Sequence, residues 1–447
     1  MRKKHLALRL LAPRIILSIV WLGVSTAVGG QDDQGEDGSA TKPRFTTDIN
    51  SSSHAVSDEA VVVVGVGQPE TNRCTDVDMS VFSNGITCGS PLSEPCFDFG
   101  RCESGSGIYV HAANCSLWDT SALLAFDKTV EADGGTLKRR PKFEYDDYIA
   151  SLLRDEAKKA GSLAQTYESA CMFVHAISSA NQGYTLCAVE KPLWNDGANH
   201  VLIDLSDKGR NKRLPVAKSY AMEAASNMHS CFYRSGYDIS VPLAPKEKFD
   251  SLSGILPWDR KFVVTTKGSV YLSMHGSEER MSLVPIHDEE NGVITSMRCF
   301  EMHNEHLLPE NVEYCQTLKD RFDDYDYASL MNTTFGLVPA GRSPGTYRLG
   351  EVMSAGAIPV FVGRDIVPPF LEQFDWSSFS FMFAPDQVGP SLVKTLRAIP
   401  RAELEEMQRK SLEVYREMFG MDVYSFRPSA KIIVDIIRRR LRHQWRE

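Results

Sequence analysis

The chain has 447 residues, 43% of them hydrophobic, and a formal net charge of -9 at pH 7. Its length is sufficient for two hydrophobic cores, so we expect two domains. The acidic balance argues against a nucleic-acid-binding protein, because such a protein needs a basic surface that neutralises phosphates. A local basic cleft is still compatible with this overall charge.

The first 30 residues have the composition of a targeting segment. Basic residues precede the uncharged and largely apolar stretch Ile15–Val28. This stretch is shorter than the roughly 20 residues that span a bilayer, and residues 27–29 suit signal cleavage, so a secretory signal peptide is one interpretation. The other is an uncleaved signal anchor, in which Leu6–Leu11 extends the span and the basic end stays cytoplasmic. Both interpretations place the rest of the chain in a lumen or outside the cell.

The cysteines and the glycosylation sequons agree with such a compartment. All 10 cysteines follow residue 73, and an even number suits disulfides in an oxidising lumen. Buried free thiols are the alternative for an isolated cysteine such as Cys171. The cysteine spacing resembles no zinc site, so we expect no metal there. Sequons predict N-glycosylation at Asn50, Asn114 and Asn332.

A polar stretch separates the targeting segment from a region in which helical and extended patterns alternate. Residues 31–72 are rich in Asp, Gly, Ser and Thr, which predicts a flexible lumenal stalk. Residues 73–250 follow as the first domain. Its clearest elements are one helix and two apolar strands, Tyr145–Ala160, Ala170–Ala176 and Val201–Leu205. This alternation is typical of a parallel α/β sheet. The proline-containing segment 244–258 predicts a linker to a second domain, residues 258–447.

Residues 331–363 hold the most informative pattern of the chain. Two short apolar runs, Thr334–Val338 and Ile358–Val362, have the length of buried strands. Between them, Leu349 and Val352 belong to an apolar face at helical spacing. A strand, a helix and a returning strand in one sheet almost always form a right-handed parallel crossover. Both strands then end at the same sheet edge, beside the amino end of the helix, where ligands bind.

The turn before this helix groups side chains that suit a phosphate or a diphosphate. Backbone N–H groups and hydroxyls of the turn at Gly341 and Ser343 lie close in sequence to the guanidiniums of Arg342 and Arg348. Glu351, about one turn further on, would repel phosphates and is better suited to ribose hydroxyls. The alternative is a structural turn whose arginines pair with surface carboxylates.

One segment resembles the donor-site signature of the exostosin glycosyltransferases of family 47: residues 337–362, LVPAGRSPGTYRLGEVMSAGAIPVFV. The shared features are a Leu-x-Pro-x-Gly turn, an arginine, an acidic residue three positions later and an Ile-Pro-Val strand. Other segments that resemble family elements are CFDFGRC with GIYV, LWNDGANH and SGYDISVPL. The resemblance implies a GT-B-like α/β fold with two doubly wound, Rossmann-like domains that face a central cleft. The acceptor would lie on the first domain and the nucleotide sugar on the second.

The same resemblance implies an inverting transfer of a sugar from a nucleoside diphosphate donor, UDP in our interpretation, to a glycan hydroxyl, with no metal and no other cofactor. It assigns the donor-binding residues Lys267, Arg280, Gly341, Arg342, Ser343, Arg348 and Glu351. Asp238 is the candidate catalytic base, with an ordinary turn-capping Asp as the alternative. Asn199 and His200 precede their strand, at the edge away from the ligand crevice, so we interpret them as structural.

The resemblance also implies a location and partners. We expect a single-pass type II Golgi membrane protein with a lumenal catalytic domain, or else a protein of the ER lumen or a secreted one after signal cleavage. A hetero- or homodimer with another transferase is a further expectation.

One departure from the family pattern motivates other functions. Ser269, Val270 and Ala340 stand where many exostosins have basic residues. Fewer positive charges favour an alternative, a non-catalytic glycosyltransferase-like subunit that supports an active partner. A secreted glycan-binding protein is a third hypothesis.

Overall fold

The computed structural model describes residues 88, 92–104, 107–111, 142–177, 194–205, 220–270, 277–299, 309–341, 343–420 and 426–443. All of them belong to one compact unit, Ala60–Glu447. The predicted targeting segment and stalk lie outside the described residues, as do Asn50, Asn114 and Arg342. Within the described ranges, no helix combines the length and the apolar character that crossing a membrane requires.

The first half of the described chain contributes two α-helices and five strands. They are α1 (Phe99–Ser104), β1 (Gly107–Val110), α2 (Lys142–Lys159), β2 (Ala170–Ala176), β3 (His200–Asp204), β4 (Met222–Ala225) and β5 (Ile239–Ser240). The predicted helix is confirmed as α2, and the two predicted strands are confirmed as β2 and β3. Periodicity therefore identified these elements to within a few residues.

The five strands of the first half form one parallel sheet in the order β1-β2-β3-β4-β5. Val174 of β2 pairs with Val110 of β1 and with Val201 of β3. Strands β2 and β3 are buried along their whole length, as is usual for parallel strands that are covered on both faces. The described strands follow chain order, so the reversal expected of a doubly wound sheet is absent from them.

The second half contributes seven α-helices and five strands within the described ranges. They are β6 (Phe262–Val270), α3 (Ser277–Met281), β7 (Val293–Cys299), α4 (Pro309–Phe322), α5 (Tyr327–Leu330), β8 (Thr333–Pro339), α6 (Arg348–Ser354), β9 (Ile358–Val362), β10 (Phe381–Phe383), α7 (Pro390–Arg397), α8 (Arg401–Phe419) and α9 (Arg427–His443). The predicted strand, helix and strand of residues 331–363 are confirmed as β8, α6 and β9.

The second sheet is also parallel, with the order β10-β9-β8-β6-β7. Val264 of β6 pairs with Val293 of β7 on one side and with Phe335 of β8 on the other. Strand order therefore reverses between β6 and β8, as in a doubly wound sheet, and such a reversal opens a crevice at the carboxyl ends of the strands. Two separate parallel sheets confirm the predicted α/β, Rossmann-like class.

One continuous hydrophobic cluster contains buried residues of both sheets and of the C-terminal helices. The last helix, α9, packs against α2 of the first half. Its Arg427 forms ion pairs with Asp155 and Glu156 of α2, at 3.4 and 3.2 Å. The chain therefore returns to its first half after completing the second sheet.

Disulfides join the described cysteines as Cys88–Cys96, Cys102–Cys171 and Cys299–Cys315. Cys231 is disulfide-bonded as well. No described cysteine is free, so the free-thiol alternative for Cys171 is wrong. Oxidised cysteines are typical of lumenal and extracellular proteins.

Candidate functional site

A cavity of about 320 Å³ is lined by residues at the carboxyl edge of the second sheet, where strand order reverses. Its lining residues are Lys246, Glu247, Arg280, Tyr327, Gly341, Gly345, Thr346, Tyr347, Arg348 and Glu351. Four of the predicted donor-binding residues are among them: Arg280, Gly341, Arg348 and Glu351. The volume is in the usual range for a small-molecule site. The described lining residues belong to the linker and the second half, so an acceptor site on the first half stays a prediction.

Tyr327, at the start of α5, connects the two functional side chains of α6. Its hydroxyl donates to Oε2 of Glu351, which is 5% exposed. The guanidinium of Arg348 lies 5.0 Å from the centre of the Tyr327 ring. Burial, the largest cause, and the Glu351 carboxylate raise the pKa of Tyr327, against the opposing effect of Arg348. The phenol is therefore kept protonated as a hydrogen-bond donor to Glu351.

Arg348 has one guanidinium nitrogen that the described structure does not satisfy. Nη2 donates to the backbone carbonyl of Lys267, which fixes the side chain beside the end of β6. Nη1 is buried and has no hydrogen-bond partner in the described part of the chain. An unsatisfied buried donor costs about 1–3 kcal/mol, and more when it is charged. Arg348 also lines the cavity, so its guanidinium places positive charge at the cavity wall.

Arg280 supplies a second cation and is held by the ends of two neighbouring strands. Its Nε donates to the carbonyl of Ala340 at 2.9 Å, and its Nη1 donates to the carbonyl of Ser269 at 2.8 Å. A Cβ added at Gly341 would lie 3.4 Å from Nη2 of Arg280. The small residue in the turn therefore leaves room for this guanidinium at the cavity wall.

The turn between β8 and α6 is packed against the first half. The N–H of Gly341 donates to the carbonyl of Ser343 at 2.9 Å, and Ser343 is 3% exposed. A Cβ added at Gly345 would lie 1.8 Å from the carbonyl oxygen of Ser226, which directly follows β4. Only glycine fits there without a displacement of the backbone. Gly345 thus lets the carboxyl edge of the first sheet approach the cavity wall.

Lys267 does not line the cavity, although the motif assigns it to the donor. Its amine donates to the carbonyls of Phe322, at 2.8 Å, and Tyr325, at the end of α4 and just beyond it. It also lies 4.1 Å from the centre of the Phe322 ring, and burial is the largest cause that lowers its pKa. What Lys267 contributes to the cavity in this structure is the carbonyl that holds Arg348.

The surroundings of Asp238 do not permit its predicted role of catalytic base. The residue is 1% exposed. Arg234 binds both of its carboxylate oxygens, at 2.7 Å through Nη2 and at 2.9 Å through Nε. Oδ1 also accepts from the N–H of Glu223 at 2.9 Å. A base needs a lone pair within reach of a substrate proton, and Asp238 has none to offer. It is a structural carboxylate beside β5.

Asn199 and His200 have the structural surroundings that the sequence predicted. The amide of Asn199 donates to the carbonyls of Asp98 and Cys171, at 2.9 and 3.0 Å. The ring of His200 shares a hydrogen bond of 2.8 Å with the ring of His175 on the neighbouring strand. Both Asn199 and His200 are 1% exposed, and neither lines the cavity.

Sequence reasoning missed four cavity residues: Lys246, Glu247, Tyr327 and Tyr347. The first two lie in the segment interpreted as a plain linker, where no periodic pattern gives a signal. Lys246 lies over the Tyr347 ring, with its Nζ 4.3 Å from the ring centre. The charged pair Lys246 and Glu247 at the predicted domain junction was the available signal, since clefts between domains are preferred ligand sites.

One group of metal-type ligands exists among the described residues, but it cannot act as a thiolate site. His229, Cys231 and Asp365 have ligand atoms within 4.8 Å of one another. Cys231 is disulfide-bonded, and a disulfide sulfur does not supply the thiolate that binds metals. His229 instead pairs with Asp365 at 3.4 Å and joins the loop after β4 to the loop after β9.

Asn332 is the one predicted glycosylation residue within the described ranges. It directly precedes β8 and is half-buried. Its side-chain oxygen accepts from the N–H of Lys261 at 3.3 Å. The hydroxyl of Thr334, which completes the sequon, donates to the carbonyl of Pro257 at 2.5 Å. Glycosylation of Asn332 stays a prediction.

Among curated proteins, the chain is similar to exostosins. Exostosin-1 of Drosophila melanogaster is 28% identical over 350 residues, which cover 73% of this chain and 42% of that protein. Exostosin-1c of Danio rerio is 27% identical over 304 residues, which cover 64% of this chain and 37% of that protein. The chain therefore spans about two fifths of the length of these curated relatives.

Among solved structures, WaaG, a glycosyltransferase involved in lipopolysaccharide biosynthesis, is 11% identical, with a TM-score of 0.27 over 73% of this chain and 99% of that chain. A TM-score this low does not establish a common fold. The family described as the exostosin GT47 domain matches residues 104–399, more than half of the chain and all of the cavity residues. The chain belongs to the exostosin GT47 family.

Proposed function

We propose that this chain is an inverting glycosyltransferase that transfers a sugar from a UDP-sugar to a glycan hydroxyl, in glycoprotein, proteoglycan or polysaccharide synthesis. The observation that carries the proposal is that Arg280 and Arg348, whose guanidiniums are held by backbone carbonyls, both line the cavity where strand order reverses. Membership of the exostosin GT47 family supports the reaction class. The donor and the acceptor are the parts of the proposal that need an experiment.

The leaving diphosphate is the group that the basic side chains would stabilise. When the bond between the sugar and the diphosphate breaks, negative charge grows on the diphosphate oxygens, and cations already fixed in place stabilise that charge. Arg280 and Arg348 both line the cavity, and backbone carbonyls hold both guanidiniums. We assign them to the diphosphate together with the turn at Gly341 and Ser343. Arg342 lies outside the described residues, and we assign it to the diphosphate because the family motif includes it.

Glu351 would bind the ribose of the nucleotide. Tyr327 donates to Oε2 of Glu351, and Oε1 has no partner among the described residues. A carboxylate oxygen fixed in this way accepts hydrogen bonds from vicinal hydroxyls, and it is repelled by phosphates. The arrangement therefore supports a nucleotide with its ribose near Glu351 and its phosphates near Arg348.

We propose that the reaction uses no divalent metal, because arginines supply the positive charge at the diphosphate. We also propose that the chain works in the Golgi lumen as a type II membrane protein, anchored by residues 1–30, and that it forms a dimer with itself or with another transferase. The targeting pattern and the disulfides support a lumenal location.

A non-catalytic subunit is the second candidate, and the position of Lys267 favours it. Its amine is turned to carbonyls at the end of α4, and Ser269 and Ala340 carry no positive charge. The cations among the described lining residues are Lys246, Arg280 and Arg348. A weakened donor site would suit a chain that stabilises an active partner.

The test measures nucleotide binding and turnover by the purified chain without residues 1–30. UDP should raise the melting temperature by a few degrees at about 100 times its dissociation constant, where the added stability is about 2.7 kcal/mol. ADP and GDP serve as comparison nucleotides, and EDTA should leave the UDP effect unchanged. A panel of UDP-sugars with glycan acceptors should then identify a donor that releases UDP. No response to any nucleotide, with co-purification of another transferase, would establish the subunit instead.

A further inference from the structure

The proposed transfer needs a group that takes the proton of the acceptor hydroxyl, and the donor-site residues do not provide one. Asp238 is bound on both oxygens by Arg234. Glu351 is 5% exposed and accepts a hydrogen bond from Tyr327. Among the described cavity residues, Glu247 is the other carboxylate.

We propose that Glu247 is the catalytic base, an inference that rests on the proposed function. Its side chain is exposed and lines the cavity. It has no hydrogen bond and no ion pair with any described residue, in contrast to Asp238 and Glu351. Both of its oxygens are therefore available to a substrate, which is the first geometric requirement for a base.

The segment that carries Glu247 is fixed against α6 on both sides of this residue. A Cβ added at Gly350 would lie 3.0 Å from the ring of Pro245, so this ring packs closely against α6 at Gly350. Lys246 lies over the ring of Tyr347, 4.3 Å from its centre. Further along, the N–H of Phe249 donates to the hydroxyl of Ser354 at 3.0 Å. Glu247 is thus held beside the helix whose first turn carries Arg348.

The charge of Glu247 indicates which part of the substrates it faces. Arg280 and Arg348 line the same cavity and suit the diphosphate, whereas a carboxylate is repelled by phosphate oxygens. Its partner in the cavity is therefore a hydroxyl. A carboxylate that accepts a hydrogen bond from a hydroxyl also stands where that proton leaves during attack.

The step balances without a metal or a redox partner. The acceptor hydroxyl oxygen attacks the anomeric carbon of the donor and forms the new glycosidic bond. The bond from that carbon to the diphosphate breaks, and its electron pair leaves with UDP. The hydroxyl proton passes to the Glu247 carboxylate and then to water.

The test compares Glu247→Gln with Glu405→Gln, a matched change at an exposed glutamate of α8. The donor is the UDP-sugar that the unchanged chain turns over in the panel, and UDP itself is the binding probe. We expect Glu247→Gln to lower kcat by about 100-fold or more, while the UDP dissociation constant changes by less than about threefold. Glu405→Gln should behave like the unchanged chain. The acidic limb of the kcat/KM profile should be lost in Glu247→Gln and shifted in Glu247→Asp.

Each contrary outcome has a distinct meaning. Turnover that survives in Glu247→Gln overturns the base assignment and leaves the proposed function intact. An increase in acceptor KM with unchanged kcat makes Glu247 an acceptor-binding residue, which also overturns it. If the unchanged chain binds UDP but releases none from any UDP-sugar, the transferase proposal and this one are both wrong.

Discussion

Each half of this molecule contains a cluster of one arginine, one tyrosine and one carboxylate, and the two clusters differ in what they leave unsatisfied. In the first half, Arg234 lies 4.6 Å from the centre of the Tyr237 ring and binds both oxygens of Asp238. Arg234 also donates to the carbonyl of Ala221 at 2.7 Å. No buried side-chain nitrogen or oxygen of this cluster lacks a partner.

In the second half, Arg348 lies 5.0 Å from the centre of the Tyr327 ring, and Tyr327 rather than the arginine binds Glu351. Nη1 of Arg348 is buried without a hydrogen-bond partner among the described residues, and the cluster lines a cavity. The same three side-chain types therefore form a closed structural pair in one place and an open site in the other. The difference teaches that residue type alone does not separate a binding site from a structural contact, because the two clusters differ in the partners that the fold supplies and in the presence of a cavity.

The largest expected effect is on the cluster of Arg234, Tyr237 and Asp238. Asp238→Asn removes the charge that compensates Arg234, and breaking a buried ion pair in this way costs about 3–5 kcal/mol in the free energy of unfolding. Urea denaturation measures the loss, and UDP affinity of the folded protein should stay unchanged. Asp435→Asn is the control, since its surface pair with Lys431 is worth about 1 kcal/mol or less. Unchanged stability with lost turnover would return Asp238 to a catalytic role.

A smaller effect, on binding rather than on stability, is expected in the cluster of Tyr327, Arg348 and Glu351. Arg348→Ala removes a charged donor to the diphosphate, so UDP affinity should fall by about 30-fold, or about 2 kcal/mol. The free energy of unfolding should change by about 1 kcal/mol or less, because an unsatisfied buried donor is removed with the side chain. Isothermal titration calorimetry and denaturation measure the two quantities. Arg416→Ala, on an exposed position of α8, should change neither. An equal loss in both variants would contradict the assignment of Arg348.

The smallest effects come from the two tyrosine hydroxyls, and they sharpen the comparison most. Tyr327→Phe leaves Glu351 unanchored, so UDP affinity should fall by about fivefold, equivalent to about 1 kcal/mol. Tyr237→Phe removes the hydroxyl whose single proton the carbonyls of Cys96, at 2.9 Å, and Tyr220 share as acceptors. It should lower the free energy of unfolding by about 1 kcal/mol with UDP affinity unchanged. Affinity that depends on Tyr237 rather than Tyr327 would reverse the roles of the two clusters.

Much of the fold was predictable because local patterns and tertiary packing agree. The strands at Ala170–Ala176 and Ile358–Val362 are continuous apolar runs that the sheets bury completely. The candidate site was predictable from the turn after β8 and the first turn of α6. A parallel crossover brings Gly341, Arg348 and Glu351 to one sheet edge.

The errors and omissions concern side-chain contacts that sequence periodicity does not reveal, most of them between residues distant in sequence. Asp238 was predicted to be available as a base, but in the structure Arg234 and the N–H of Glu223 both donate to its carboxylate. The motif assigned Lys267 to the phosphates, but in the structure its amine donates to the carbonyl of Phe322 at the end of α4. Glu247 carried no periodic signal, and only the packing of its segment on α6 places it in the cavity.

The sequence by itself determined the secondary structure around residues 331–363 and the chemical types gathered there, because hydrophobic period and turn residues act over a few positions. The tertiary structure alone decided which charges are neutralised and which are left open. Hydrogen-bond satisfaction depends on groups brought together across about 15 to 100 residues of chain, as in the contacts of Asp238 with Glu223 and of Phe249 with Ser354. Desolvation makes each such contact decisive, since a buried charge without a partner is costly and a ligand that supplies the partner removes that cost.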